Sequence, residues 1–392
     1  TNAQLNQTAT SKGDTISAQI ALTAPLDISN ASVNALTLSG VNNFTNGIII
    51  KAGTVKGTVA NAFGASSNVI TIGDNGGAAN TMLNGGYAGN YANPIYIASG
   101  NTGIASISNS ANSTYSGPVT LNSHDLTLLY YFSATPLRYN GAIMGTGNLT
   151  LVPNGGIIIT NANNSGAITC AGVGSASATI GIVGSNVTAI IADSASSPMT
   201  INDLTVNGGG TPLINNNAAV LTLAGNVNGA GNLTLSNNSA GANGITLSGT
   251  VNTTGAIANS GSGSGNTLIS AVISTNVSRV VQDSATSMLT LSGASTYTGG
   301  LFINNGMVNG LGSVNAFGTN ANLITIGDTS GSANAALLTG LWATYLQPIA
   351  IASNNIGIAT IRADNYSEFA GPVTLYDHDL TLSVPVPPGT GA

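Results

Sequence analysis

Residues 61–128 contain NAFGASSNVITIGD, PIYIAS and GPVTLNSHDLTL. Residues 315–382 contain NAFGTNANLITIGD, PIAIAS and GPVTLYDHDLTL. The two blocks align without a gap, with 37 of 68 positions identical. A long gapless repeat in a polar chain is the signature of a stacked architecture, in which each unit contacts only its neighbours. It points away from a fold built around one catalytic pocket.

Shorter echoes fill the interval. GAIMGTGNLTL starts at Gly141 and GNVNGAGNLTL at Gly225. SNVTAIIADSASSPMTI starts at Ser185 and TNVSRVVQDSATSMLTL at Thr275. The offset within each of these pairs is close to a third of the long period. Within every echo the local pattern is aliphatic-Thr-aliphatic, as in Leu36-Thr37-Leu38, Leu126-Thr127-Leu128, Leu149-Thr150-Leu151 and Leu289-Thr290-Leu291. A period of two puts both aliphatics on one face of a strand and the threonine on the other. Gly, Asn, Asp or Ser closes each run.

The expected fold is therefore all-β, a parallel β-solenoid (right-handed β-helix) built from internal repeats. Inward aliphatics form its core, and Thr, Asn and Ser face out or form ladders. Coils of roughly 20–25 residues would give about 16–19 turns and, at about 4.8 Å each, a rod on the order of 80–90 Å. Residues 1–35 read as a polar segment or first coil and 36–382 as continuous solenoid. The solenoid comprises the duplicated blocks 36–128 and 289–382 and the repeats 129–288 between them; 383–392 is a Pro/Gly-rich tail. The stretch 334–346, NAALLTGLWATYL, has helical spacing, but its counterpart NTMLNGGYAGNY is too rich in glycine for a helix. Strand and loop is the expectation in both.

Composition narrows the function. Only 5% of residues are charged, six basic and twelve acidic, while 42% are hydrophobic. Disorder needs low hydrophobicity with high net charge, so an ordered chain is expected. A net charge of −6 and no basic stripe argue against nucleic acid. No apolar run reaches the length of a membrane-spanning helix. Cys170, the one cysteine, reads as a small buried hydrophobe. Low charge leaves little repulsion between copies.

LTLSGASTYTGGLFINNGMV at 289–308 resembles the autotransporter-associated β-strand repeat, and LTLSGVNNFTNGIIIKAGTV at 36–55 is a looser likeness. GTGNLTL (145–151) and GAGNLTL (229–235) resemble the lead-in of the same family. The resemblance implies a right-handed parallel β-helix on the bacterial cell surface or in the extracellular space, as part of a passenger. The chain departs from the family pattern at Ser295 and Leu301, and its Pro/Gly-rich stretch 383–392 is not expected to form the strands of a translocator barrel. The motif glycines Gly299, Gly300, Gly306 and Gly310 are expected at turns. Phe44 and Tyr297, at equivalent positions, are expected as wedges in the core.

Candidates for chemistry are few. His124-Asp125 and Asp377-His378-Asp379 hold both histidines. Neighbours on a strand face opposite ways, so polar strand entry is the expectation rather than a metal site. Asp74, Asp328, Asp193 and Asp283 read as turn residues. Asp364 and Glu368, with Arg362 nearby, form the one acidic cluster, too sparse for a polysaccharide-cleaving site. No catalytic residue, cofactor or metal is assigned.

The expected role is structural and non-enzymatic: a stiff solenoid that self-associates head to tail into a homopolymer, as a surface fibre, filament or coat. The alternative is an adhesin passenger with a surface or host ligand; a polysaccharide-active enzyme comes third. The candidate interface is the aromatic stretch Tyr130, Tyr131, Phe132, Arg138 and Tyr139, which has no counterpart after residue 382.

Overall fold

The computed structural model describes residues 1–131, 135–364 and 366–384. Two compact units make up the chain. The first comprises Thr1–Thr188 with Asp193–Thr200, and the second Ala189–Ala192 with Ile201–Ala392. Among the described residues every regular element is a strand, and the strands pair in parallel register. Each unit is a parallel β-solenoid.

In the first unit, Leu26, Ile48, Ile70, Ile95, Val119 and Ile143 lie in register on successive coils. All six are at most 3% exposed. In the second unit Leu233, Ile257, Val280, Leu301, Ile324 and Ile349 form the matching column. Burying each such side chain is worth about 1.5–3 kcal/mol. Repetition of that term along the column holds coil to coil. Threonines between the aliphatics face outward in register, as Thr127, Thr150 and Thr169 do.

Asparagine behaves differently from expectation. Several asparagines that end a strand point inward rather than out. Asn30, Asn215 and Asn237 are each 2% exposed or less. The side-chain oxygen of each accepts from the backbone N–H two residues on: Ser32, Asn217 and Ser239. Their amide nitrogens donate to carbonyls one coil further along, at Thr54 (2.9 Å), Gly244 (2.6 Å) and Gly265 (3.0 Å). A corner turned into the core leaves backbone groups without water. The short amide supplies both a donor and an acceptor for them.

The expected turn at Gly306 is also corrected. It lies inside one unbroken strand, Leu301–Gly310. Residues 301–303 pair with Ile324–Ile326, whereas 306–310 pair with Ala335–Thr339. The strand bends from one stack into the next at Gly306, where φ is +75° and a Cβ would strike the Ser284 carbonyl. Gly53 makes the same bend in Ile48–Gly57, with φ +69°. The last residues of these strands, Gly57 and Gly310, leave room for the rings of Phe63 and Phe317. Phe44 and Tyr297 are in the core, as expected, and 334–346 contains the strands Ala335–Thr339 and Thr344–Tyr345. Residues 385–392, most of the expected tail, lie outside the described residues.

Candidate functional site

The aromatic stretch at 130–139 does not form one surface. Tyr130 and Tyr139 are 2% and 1% exposed, because strand alternation turns them inward. Tyr139 stacks on Tyr115 at 5.3 Å, and Tyr115 on Tyr91 at 5.4 Å; Phe63 meets Tyr91 at 5.4 Å. This is a core column that climbs one ring per coil. Burial raises the Tyr115 and Tyr139 hydroxyls far above the ordinary phenol range. Only Tyr131 and Arg138 remain exposed, and Phe132 lies outside the described residues. Cys170 is buried, and burial pushes its thiol up to about 11.

The histidine corners repeat each other. His124 Nδ1 lies 2.7 Å from the Asp125 carbonyl, and His378 Nδ1 lies 2.7 Å from that of Asp379. His124 Nε2 also reaches the Gly103 carbonyl at 3.0 Å. The Asp125 carboxylate accepts from the Asn148 backbone N–H at 2.7 Å. Among the described residues, no three His, Cys, Asp or Glu side chains converge as a metal-binding group would require.

At the start of the first unit, Lys51 pairs with Asp27 at 3.0 Å and approaches Asp74 at 3.8 Å. Asn2 and Gln4 also donate to the Asp27 carboxylate. Burial would raise the Asp27 carboxyl, but the hydrogen bonds from Asn2, Gln4 and Lys51 and the lysine charge outweigh it and hold it below its ordinary value. The set ties successive coils together through polar groups.

Two features of the second unit stand out. One is an outer corner. Trp342 and Tyr366 are 78% and 85% exposed, and their rings meet at 5.8 Å with an interplanar angle of 47°. Beside them Arg362 Nε donates to Asp364 at 2.9 Å, and Thr344 Oγ1 donates to Glu368 at 3.1 Å. Register places Thr344 against Glu368 outside, with Tyr345 stacked on Phe369 at 5.5 Å on the opposite strand face. Sequence reasoning noted the acidic residues here and missed the aromatic pair.

The other feature is an apolar end face of about 580 Å³, lined by Ile361, Phe369, Val373, Leu380, Leu382 and Val384 among others. Val373, Leu375, Leu382 and Val384 are 43%, 45%, 74% and 73% exposed. The chain matches no protein-family model, no curated protein and no solved structure.

Proposed function

We propose that this is a non-enzymatic structural protein, extracellular and cell-surface in setting, that extends into a fibre by stacking copies coil upon coil. One contrast carries the reading. Val119, Leu121 and Leu128 in the first unit are fully buried. The coil bearing Leu137–Tyr139, Ile143–Thr146 and Leu149–Val152 covers that level, and pairs directly with Val119 and Leu128. Their counterparts Val373, Leu375 and Leu382 carry the same aliphatic chemistry and are open. The duplicate thus supplies a template for what such a face accepts: a parallel coil with inward aliphatics. Unpaired strand edges reinforce the same association.

The occupant we assign is a coil of a second copy, entering in the parallel register used throughout. The near absence of charge on the chain favours such contact.

Electron microscopy and sedimentation velocity of the whole chain test the reading. Filaments, or growth with concentration, are expected for the parent, with loss of growth in Leu382→Lys. A parent that stays monomeric at high concentration would overturn the proposal, as would a Leu382→Lys variant that polymerises like the parent.

A further inference from the structure

The strands that flank the outer corner at Trp342 and Tyr366 form in the duplicate without these side chains. At the same positions of the first block stand Ala88 for Trp342, Asn112 for Tyr366, Ser108 for Arg362, Ser110 for Asp364 and Thr114 for Glu368. The flanking strands pair alike, and the corner itself differs, with φ positive at Tyr366 and not at Asn112. Thr114 pairs with Asn90 as Glu368 pairs with Thr344, and Ala88 and Asn112 are exposed as Trp342 and Tyr366 are. The coil therefore forms with small neutral residues at all five positions. The second block replaces them together with the only tryptophan, the only glutamate, an arginine, an aspartate and a tyrosine. Three of the chain's 18 charged residues fall between positions 362 and 368. Tyr366 also sits at φ +58°, a left-handed conformation unfavourable for a bulky residue.

We propose that this corner is a carbohydrate-binding site. The two exposed rings meet at 5.8 Å with 47° between their planes, and the π-face of each is apolar and carries negative electrostatic potential. The C–H face of a pyranose ring is weakly positive and apolar, and it fits such a face. Around the rings stand the donors and acceptors that hydroxyl groups need: the Arg362 guanidinium, the Asp364 and Glu368 carboxylates and the Thr344 hydroxyl. Two other ligand classes fit less well. A nucleic-acid strand would bring phosphates against two carboxylates on a chain of net charge −6. An organic cation would want opposed aromatic walls and a free carboxylate. Here the rings lean on each other at 47°, Asp364 is paired with Arg362, and Glu368 accepts from Thr344. The two rings face outward, while Glu368 shares the strand Glu368–Phe369 with a residue of the apolar end face, so the site borders that face.

Trp342 is the only tryptophan, so emission excited on the red edge of the absorption, clear of the tyrosines, reports on this corner. Cellohexaose, xylohexaose and mannohexaose are the probes, with calorimetry in parallel. At least one should give a saturable change in emission and a matching heat. Tyr366→Asn and Trp342→Ala, which restore the residues of the first block, should weaken binding about tenfold or more, with an unchanged circular dichroism spectrum. Silence toward all three glycans at about 10 mM would overturn the proposal. So would equal binding by Tyr366→Asn, or a response to tetramethylammonium with none to the sugars.

Discussion

Asn68 and Asn322 hold identical positions in the two blocks and make the same pair of hydrogen bonds. The amide of Asn68 donates to the Phe63 carbonyl at 2.7 Å, and that of Asn322 to the Phe317 carbonyl at 2.6 Å. Their oxygens accept from Gly47 N–H at 2.7 Å and Gly300 N–H at 2.8 Å. Both side chains are fully buried. Each joins the turn after a core phenylalanine to the coil before it.

Asn68→Ala and Asn322→Ala should therefore be destabilising to a similar degree. Each substitution strands a buried N–H and a buried carbonyl, at about 1–3 kcal/mol per unpaired group. Denaturant melts of the two variants check this. A large loss in one and none in the other would break the equivalence.

Leu128→Ala and Leu382→Ala should differ, although the residues are counterparts. Leu128 is fully buried, and its truncation should cost about 2–5 kcal/mol. Leu382 is 74% exposed, and its truncation in the dissociated chain should stay within about 0.5 kcal/mol. Under conditions that promote assembly the Leu382→Ala penalty should grow, read as a change in the critical concentration.

Asp27 gives stability a dependence on acid. Its folded carboxyl titrates below the ordinary value of 3.8, so its contribution is complete above that value and is lost as pH falls through the lower folded one. Urea midpoints between about pH 2 and pH 6 should fall toward acid in the parent, and less steeply in Asp27→Asn. Lys51 has the opposite sign: its folded value lies above 10.5, so its contribution is lost only in strong alkali.

The tyrosine column should hold back alkaline titration. Tyr115 and Tyr139 titrate far above 10 when folded, so in the unfolded chain they ionise first and stability falls as pH rises past about 10. Phenolate absorbance should rise in two phases. The later phase, from the buried Tyr115 and Tyr139, should coincide with loss of the circular dichroism signal. A single smooth phase would contradict the buried column.

The stacking of strands was legible because Leu-Thr-Leu fixes which face is inside and the long repeat fixes what lies next to what. Strand in place of helix at 335–345 followed from the glycine-rich counterpart. What escaped was the direction of side chains at corners. Asn30 and Asn237 look like surface residues by type, and their inward turn depends on which stack the next strand joins. Tyr130 and Tyr139 looked like a patch because aromatic and arginine residues cluster in the sequence; alternation along each strand separates them. The meeting of Trp342 and Tyr366 required the local coil length, which varies from coil to coil.

In-register columns such as Ile95, Val119 and Ile143 have a consequence for how the gene can change. Excising residues 119–142, one rung to the next, would bring Ile95 beneath Ile143, two aliphatics already suited to each other. Excising half as many would put a corner under a strand and expose a buried amide. Recombination between repeats can thus lengthen or shorten this protein in whole-coil steps without inventing a new contact, and intermediate lengths are selected against by the packing itself.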